Sequence, residues 1–524
     1  MIKLAAAEVM RRLDAAAIND YGIPGMVLME NAGRGTVDII QAHYGPLNGK
    51  KITVVTGPGN NGGDGLVIAR YLHQLGAAPR VFMLVPAAKM TGDAALNLSI
   101  VRKLPVELRQ VTDDLSELKA ALRESELVVD AIFGTGLRRE VGGRFAAVIR
   151  LINNSRLPVT AVDIPSGLNS DNGQVMGAGI KAALTVTYGL AKPGQIIYPG
   201  ADLIGRLEVV DIGIPPEVVE GAEINLELLR QPEISTLLHE RPANSHKGSF
   251  GHLLVLAGSH GKTGAAILCA QGALRAGTGL VTMGSPRALN TIYETRLAEA
   301  MTFPLSGDNF LTMDDYPAIL QALSGKKAVV LGPGLGQNTT TRDLVVKLYN
   351  ELEIPMLIDA DGLNCLKDDL RPRAGGPWRV LTPHPGEMAR LTGMSSRDIQ
   401  TRRLETALSF ARRQGVILVL KGAATIIAHP QGMAALNSSG NPGMAAGGMG
   451  DVLSGIIGGL LAQGLSAWDA ARLGVYIHGR AADRLAGQAT AGFLASEVAN
   501  EVPLAIKELR NRSAEATNYP TRKL

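Results

Sequence analysis

The sequence predicts an α/β protein with two domains. Segments with β-strand composition alternate with segments of helical length along most of the chain, which is the order found in βαβ units. Glycine accounts for 62 residues and aromatic residues for only 4% of the chain, which is typical of α/β proteins with many tight turns. At 524 residues the chain is also longer than one hydrophobic core normally serves.

The first domain is predicted over residues 1–222. Two helices are predicted first, over 7–20 and 24–44. A β-type run at 51–56 then ends in the glycine-rich segment 57–65, and a helix follows over about 66–75. A strand, a turn and a helix in this order form half of a βαβ unit, so we expect a parallel sheet. Further strands are predicted at 80–85, 126–132, 158–163 and 207–212.

The second domain is predicted over residues 228–510. The pattern changes near 220–230, where a proline pair and an acidic stretch indicate the exit from the first domain. A new α/β series begins with a strand at 252–259 and a helix at 264–276. The strand-end motifs of the two halves differ, so we interpret them as separate domains and not as repeats. Further strands are predicted at 328–331, 356–359, 379–382 and 416–420.

Composition and charge narrow the class of protein. The net charge of +4 is small and no basic run carries interleaved aromatic residues, which argues against nucleic-acid binding. Cys269 and Cys365 lack metal-ligand spacing and indicate reduced thiols. The start of the chain does not resemble a secretory signal, and the longest apolar stretch, near 452–462, is too short to span a bilayer. We therefore expect a soluble, cytoplasmic homo-oligomer that binds neither nucleic acid nor membrane.

The segment 440–459, GNPGMAAGGMGDVLSGIIGG, predicts an anion-binding site. Small residues up to Gly450 are followed by Asp451 and by apolar residues at helical spacing. A glycine-rich turn that opens a helix leaves backbone N–H groups unpaired at the positive end of the helix dipole. Asp451 is then placed to take a proton from a hydroxyl that attacks a bound phosphate. An ordinary N-cap aspartate is the alternative.

Two familiar nucleotide motifs are only partly matched. Gly57, Gly59 and Gly62 satisfy G-x-G-x-x-G after a strand, but the next strand ends without an acid to hold a ribose, which disfavours a standard dinucleotide site. The segment 261–263, GKT, resembles the end of a P-loop. Leu256 occupies the position of the required first glycine, so that match fails.

Polar side chains at the ends of three predicted strands indicate a site in the first domain. Because the carboxyl ends of parallel strands meet at one edge of a sheet, we expect these side chains to converge. Their oxygens suit a hard monovalent or divalent cation, and an acid beside it can shuttle protons. For any one motif alone, ordinary turn chemistry is the alternative. The residues are Asn60, Asn61, Asp64, Asp130, Asp163 and Ser166.

Four motifs of this domain together resemble the NAD(P)H-hydrate epimerase family, the YjeF N-terminal domain. They are MENAG (29–33), GPGNNGGDG (57–65), DAIFGTG (130–136) and DIPSGLNSDNG (163–173). The resemblance implies a Rossmann-like three-layer sandwich, a potassium ion held by Asn61, Asp130 and Ser166, and Asp163 as the catalytic residue. It also implies that substrate is contacted by Asn60, Asn61, Gly62, Gly63, Asp64, Gly134, Thr135, Gly136, Leu137, Arg138, Arg139, Glu140 and Asp163.

The second half resembles the ribokinase-like superfamily, in particular its ADP/ATP-dependent NAD(P)H-hydrate dehydratase branch. The motifs are GPGLG (332–336), DADGLN (359–364), LTPHPGEMARL (381–391), LKGAATII (420–427) and the segment 440–459. The resemblance implies a ribokinase-like three-layer α/β domain in which Asp451 is catalytic. It implies a nucleotide site at Lys421, Gly422, Ala423, Ala424, Thr425, Gly447, Gly448 and Gly450. It implies substrate contacts at Ala266, Gly334, Gly336, His384 and Asp451.

Both resemblances indicate one metabolite, so we predict a bifunctional repair enzyme for NADHX and NADPHX, the hydrated nicotinamide cofactors. The first domain would interconvert the R and S epimers with the help of K⁺. The second would dehydrate the S epimer with ADP as co-substrate, together with Mg²⁺, to give NAD(P)H, AMP and phosphate. The alternative is a ribokinase-like small-molecule kinase with an N-terminal regulatory or scaffold domain. A kinase would leave a stable phosphorylated product.

Overall fold

The computed structural model describes residues 2–372 and 376–512 of the chain. The described residues divide into two compact units, of which one is Lys3–Ile224 and the other contains Ile2 and the described residues from Asn225 to Arg512. Each unit combines one sheet, mainly of parallel strands, with flanking helices, which confirms the predicted α/β class. None of the described helices combines the length and the apolar character that a bilayer crossing needs.

The first unit contains a parallel seven-stranded sheet in the order β4-β3-β2-β5-β6-β7-β8. The order reverses between β2 and β5, and open α/β sheets bind ligands at such a switch point, beyond the carboxyl ends of the strands. The strands are β2 (Lys51–Thr56), β3 (Ala78–Met83), β4 (Glu107–Gln110), β5 (Leu127–Ala131), β6 (Val159–Val162), β7 (Leu184–Tyr188) and β8 (Arg206–Val210).

Helices cover both faces of this sheet. Neighbouring strand residues alternate between two hydrophobic clusters: Val54 packs with α2, α3 and α4, whereas Val55 packs with α5 and α6. Both faces are therefore buried, as is usual for a parallel sheet. The helices are α1 (Ala7–Asn19), α2 (Gly25–Tyr44), α3 (Asn60–Gln74), α4 (Gly92–Val101), α5 (Ser116–Glu124), α6 (Gly143–Ser155) and α7 (Pro216–Gly221).

Helix α3 begins at Asn60, six residues before the predicted start, so most of the expected glycine-rich turn is helical. Close packing explains the difference. A Cβ on Gly62 would overlap the carbonyl oxygen of Gly57, and one on Gly63 would lie 2.8 Å from the sulfur of Met29. The glycines therefore allow the first turns of α3 to be buried against the loop after β2, and here they do not break the helix.

The second unit contains an eleven-stranded sheet in the order β1-β9-β18-β17-β16-β15-β14-β13-β10-β11-β12. In this spatial order, all strands from β16 to β12, including β10 and β11, pair parallel with one another. Strand β17 pairs antiparallel with both of its neighbours. Its switch point lies between β10 and β13. The strands are β1 (Ile2–Lys3), β9 (Leu226–Leu229), β10 (His252–Leu256), β11 (Leu280–Pro286), β12 (Met301–Leu305), β13 (Ala328–Leu331), β14 (Met356–Ile358), β15 (Arg379–Leu381), β16 (Ile417–Leu420), β17 (Ile426–Ala428) and β18 (Ala434–Asn437).

Twelve described helices accompany this sheet, and one face carries a hydrophobic cluster to which α9, α17, α18 and α19 contribute most of the helical residues. The helices are α8 (Gln231–Ser235), α9 (Thr263–Arg275), α10 (Asn290–Arg296), α11 (Tyr316–Ala322), α12 (Thr339–Glu351), α13 (Asp361–Leu366), α14 (Pro385–Thr392), α15 (Ser396–Thr401), α16 (Arg403–Gln414), α17 (Met449–Ala462), α18 (Ala467–Ala486) and α19 (Ala495–Arg512).

Helix α17 is the most deeply buried of these helices, with residues 452–462 all buried. A Cβ on Gly455 would overlap the carbonyl oxygen of Cys269 in α9, and a Cβ on Gly272 would overlap that of Val452. The two helices can therefore approach each other closely only because both positions are glycine. This packing fixes the axis of α17 and holds its N-terminus near the carboxyl ends of the strands.

Candidate active sites

A cavity of about 690 Å³ lies at the switch point of the first unit. Most of the residues predicted to contact substrate line it: Asn60, Asn61, Asp64, the segment 134–139 and Asp163. Three predicted residues do not line it. Gly62 and Gly63 are buried in the packing of α3, and Glu140 is exposed outside the cavity.

Asp163 is held by a buried lysine that the sequence analysis missed. Lys192 is only 1% exposed, and its Nζ donates hydrogen bonds to Asp163 Oδ1 (2.6 Å), Thr187 Oγ1 (2.7 Å) and the carbonyl of Tyr188 (3.0 Å). Asp163 has a φ of 65°, which is uncommon for a residue other than glycine and often marks a functional site. Lys192 follows the end of strand β7. Because this strand was not predicted, no strand-end pattern indicated that Lys192 belongs to the site.

Three further carboxyl groups face the same cavity: Asp64 on α3, Asp14 on α1 and Asp93 on α4. Burial raises the pKa of Asp64 well above its usual value, and the charges of Asp163 and Asp14 raise it further. Burial also raises the pKa of Asp14 to about 6, against the opposing effect of Lys192. The cavity therefore combines the ammonium group of Lys192 with four carboxyl groups, two of which have raised pKa values, which suits acid–base chemistry.

The three residues predicted to hold potassium lie below the cavity floor or at its edge. Asp130 is fully buried, and its oxygens accept hydrogen bonds from the hydroxyl (2.6 Å) and the backbone N–H (2.8 Å) of Ser166. Burial raises the pKa of Asp130 to about 6. Asn61 is buried, and its Nδ2 has no hydrogen-bond partner among the described residues. Carboxylate, hydroxyl, amide and carbonyl oxygens so arranged fit an alkali-metal cation, which would neutralise Asp130.

In the second unit, the N-terminus of α17 is open to anions. The helix begins at Met449 after Gly448, which has a φ of 87°, and no side chain caps it. Lys421 approaches the first turn, since its Nζ lies 3.2 Å from where a Cβ on Gly450 would stand. Unpaired backbone N–H groups, the helix dipole and an ammonium group thus meet at one place, as the sequence predicted.

Lys421 is itself fixed by two acids that the sequence analysis did not assign. Its Nζ donates to Asp359 Oδ1 (2.7 Å) and lies 3.7 Å from Glu387 Oε2. The other oxygen of Asp359 accepts a hydrogen bond from the Ser454 hydroxyl on α17 (2.7 Å). Burial lowers the pKa of Lys421, but the charges of Asp359 and Glu387 outweigh burial and raise it. Asp359 is the first residue of the motif DADGLN and directly follows β14. This position in the sequence could have indicated that it belongs to the site.

Asp451 lies in the first turn of α17, as predicted. Burial raises its pKa to about 7, the charge of Asp359 raises it further, and Lys421 opposes both effects. A carboxyl group with this proton affinity can accept a proton near neutral pH and release it again, which an ordinary surface N-cap aspartate with a low pKa does poorly.

His384 is the N-cap of α14. Its Nδ1 accepts hydrogen bonds from the backbone N–H groups of Gly386 (3.0 Å) and Glu387 (3.3 Å), and Glu387 accepts one in return from the N–H of His384 (2.8 Å). Burial lowers the pKa of His384, although Glu387 opposes this. A neutral imidazole whose Nδ1 accepts carries its proton on Nε2, so that nitrogen is left to donate.

Hydrogen bonds connect the turns at the switch point of the second unit. Ser259 Oγ, after β10, donates to the carbonyl of Gly334 (2.7 Å), and Asp361 accepts from the N–H of Gly336 (2.9 Å) and from Lys262 (2.8 Å). Ala266, the other predicted contact, packs beside Gly258 after β10 but is fully buried. Its side chain is on the inner face of α9, fully buried in the core, and in this conformation it lines no surface.

The loop between β16 and β17 carries the rest of the predicted nucleotide residues. Gly422 and Ala423 are exposed beside Lys421, and Ala424 has a φ of 51°. The Thr425 hydroxyl closes the turn by donating to the carbonyl of Gly422 (2.8 Å). Across from it, Gly447 is exposed and Gly448 and Gly450 are half-buried, so the loops before β17 and before α17 both offer accessible backbone.

The fold and the two sites define an α/β enzyme with one site suited to proton transfer and a second suited to phosphoryl chemistry. Residues 253–504 match the family model for NAD(P)H-hydrate dehydratase, and residues 25–194 match that for the YjeF-related protein N-terminus. A bifunctional NAD(P)H-hydrate repair enzyme from Moorella thermoacetica is 44% identical over 97% of both chains, and the one from Escherichia coli is 36% identical over 94% of this chain and 92% of its own.

The chain belongs to the family of bifunctional NAD(P)H-hydrate repair enzymes, which confirms the resemblance found in the sequence. Among solved structures, an ADP/ATP-dependent NAD(P)H-hydrate dehydratase from Bacillus subtilis, co-crystallised with ATP and Mg²⁺, is 32% identical. The match covers 55% of this chain and 99% of that one, with a TM-score of 0.49.

Proposed function

We propose that this chain repairs hydrated nicotinamide cofactors at two separate sites. The first site interconverts the R and S epimers of NADHX and NADPHX. The second dehydrates the S epimer with ADP and Mg²⁺, giving NAD(P)H, AMP and phosphate. The observation that carries the proposal is that each site has a lysine–aspartate pair of low exposure beside an acid of raised pKa.

At the first site, the carbon that is inverted bears a hydroxyl group and is bonded to the ring nitrogen. Inversion requires a bond to that carbon to break and re-form, with one proton donated and one accepted. Asp163, fixed by Lys192, acts on these protons, and Asn60, Asn61, Asp64 and the segment 134–139 hold the substrate. Asn61, Asp130 and Ser166 hold K⁺, which supplies a positive charge beside the buried carboxylate of Asp130 and keeps the loops after β5 and β6 together.

At the second site, Asp451 takes the proton of the substrate hydroxyl as that oxygen attacks the β-phosphorus of ADP. The N–H groups at the start of α17 and the ammonium of Lys421 stabilise the charge on the transferring group. AMP leaves. Phosphate is a much better leaving group than hydroxide, so its elimination, with loss of a proton from the neighbouring ring carbon, restores the ring double bond.

The remaining residues of the second site bind and orient. Loops 421–425 and 447–450 hold the nucleotide through accessible backbone groups and Lys421. Gly334, Gly336 and the Nε2–H of His384 contact the hydrated ring. We also propose that the enzyme is a cytoplasmic homo-oligomer that binds neither nucleic acid nor membrane. Its two cysteines are buried and not disulfide-bonded, which supports a reducing compartment.

One assay tests this function. A mixture of R- and S-NADHX is incubated with the protein, ADP, Mg²⁺ and K⁺, and the absorbance of NADH is followed together with AMP and phosphate. Complete conversion of the mixture, with one AMP and one phosphate per NADH, is expected. Conversion of only the S portion would contradict the epimerase assignment, and a stable phosphorylated product would indicate a small-molecule kinase instead.

A further inference from the structure

The cavity of the first unit contains a carboxyl group that no predicted motif includes. Asp14 lies on α1, outside residues 25–194, the segment that matches the family model. It lines the cavity together with Asp64, Asp163 and Lys192. Its Oδ1 is buried and has no hydrogen-bond partner within residues 2–372 and 376–512. A buried carboxyl oxygen without a partner is costly, so this position calls for an explanation.

Lys192 cannot provide that partner. An ammonium group has three donors, and those of Lys192 are taken by Asp163, Thr187 and the carbonyl of Tyr188. Lys192 therefore acts on Asp14 only through space. Because the ion pair is already complete without Asp14, the second carboxylate is not explained as a structural counter-ion of the lysine.

The acids of the cavity also differ in the pH at which they change charge. Burial and the neighbouring carboxylates raise the pKa of Asp64 well above its usual value. Burial raises the pKa of Asp14 only to about 6, so it is mostly ionised at pH 7 and can still be protonated. Asp14 is thus a proton acceptor on a different element from Asp163.

We propose that Asp14 is a second acid–base residue of the epimerase site and serves the face of the ring opposite Asp163. The inference rests on the epimerase function proposed above. Inversion at a ring carbon needs the hydroxyl to leave from one face and water to add to the other. A single carboxylate fixed on one side cannot serve both faces, whereas groups carried by α1 and by the loop after β6 can.

The step balances without a further reactant. The ring nitrogen lone pair forms a C=N bond as the C–O bond breaks, and the Asp163–Lys192 pair gives one proton to the leaving hydroxide. Water then adds to the opposite face, the electron pair returns to nitrogen, and Asp14 takes the proton that this water loses. The reverse reaction uses the same groups in exchanged roles.

The pH dependence follows from the charge of Asp14. As the proton acceptor it must be ionised, so kcat/KM for R-NADHX rises as pH rises through about 6. The charged and titratable groups that share the cavity with it are Arg11, Asp64, Asp93, Arg138, Arg139, Asp163, Tyr188 and Lys192.

Three variants of the full chain test the proposal in saturating potassium chloride. They are Asp14→Asn, Asp14→Glu and the control Asp20→Asn, which changes an exposed carboxyl group at the end of the same helix. The R-to-S ratio is followed by chromatography without ADP, from pH 5 to 8, and S-NADHX dehydration and the melting temperature are measured on each variant.

Asp14→Asn should lower epimerisation by about 10²-fold or more and remove the limb near pH 6, with S-NADHX dehydration unchanged. Asp14→Glu should restore the limb and part of the rate, and Asp20→Asn should match the wild type. An Asn variant that keeps the limb, whatever its melting temperature, overturns the proposal. A wild-type protein that does not epimerise at all overturns instead the function on which the proposal rests.

Discussion

Both candidate sites contain a lysine–aspartate pair, but the pair presents a different group to each site. Each contains a lysine–aspartate pair beyond the carboxyl ends of parallel strands, Lys192 with Asp163 at 2.6 Å and Lys421 with Asp359 at 2.7 Å. In the first unit the aspartate of the pair faces a cavity lined by three more carboxyl groups. In the second the lysine of the pair faces the start of a helix. The same pair thus presents a proton-transfer group in one site and a phosphate-binding charge in the other.

The helices beside the two pairs differ in the same way. Both α3 and α17 begin in glycine-rich sequence without a side-chain cap. Residues 61–65 of α3 are buried against the protein, whereas Gly447 is exposed and Gly448 and Gly450 are partly exposed at the start of α17. A glycine-rich helix start therefore binds anions only where its N–H groups remain accessible. That difference explains why G-x-G-x-x-G in the first unit is a poor sign of a dinucleotide site.

The largest effect is expected at Asp451. Asp451→Asn keeps the shape of the side chain but cannot accept the hydroxyl proton, and it removes no capping hydrogen bond because no side chain caps α17. The dehydratase kcat should fall by about 10²- to 10⁴-fold, and the rise of kcat through about pH 7 should disappear, because only the ionised carboxylate accepts a proton. Steady-state kinetics with S-NADHX from pH 5 to 9 provide the measurement.

The melting temperature distinguishes a catalytic role of Asp451 from a purely structural one. Burial disfavours the charge of Asp451, so its removal should not lower the melting temperature. The control is Asp343→Asn, which changes an exposed carboxyl group on α12. A variant that is less stable but still fast per folded molecule would show that Asp451 stabilises the start of α17 and is not the base.

A smaller effect is expected from the ion at the first site. Asn61, Asp130 and Ser166 offer neutral oxygens and a single carboxylate, without the carboxylate cluster that a divalent ion usually recruits. Epimerisation should therefore be several-fold faster in potassium chloride than in sodium chloride at matched ionic strength. The R-to-S ratio is followed in both salts, and equal rates would remove the potassium assignment.

The sequence was most informative where a residue type and its place after a strand were enough. The α/β class follows from the alternation of strands and helices, and the helix after Gly450 follows from apolar spacing. Asp130, Asp163 and Ser166 follow from strand ends that one sheet edge brings together. In each case the argument needs only local pattern and the geometry of parallel strands.

The partners of those residues could not be predicted in the same way. Lys192 meets Asp163 across 29 positions and Lys421 meets Asp359 across 62, so both pairs depend on tertiary packing that no local pattern specifies. Asp14 reaches the cavity from a helix that precedes the first predicted motif. The burial of Ala266 could not be predicted either, since the direction in which a small helical residue points is set by packing against the core.

The central claim is that two independent sites act in sequence on one substrate. It is tested most directly with Asp163→Asn and Asp451→Asn, each supplied with mixed R- and S-NADHX, ADP, Mg²⁺ and K⁺, alone and then mixed. Asp163→Asn alone should convert the S portion at the wild-type rate and the R portion only as fast as it epimerises spontaneously, while Asp451→Asn alone should form almost no NADH. Together they should convert the whole mixture. Loss of S-NADHX dehydration in Asp163→Asn, or failure of the mixed variants to use the R epimer, would contradict the account.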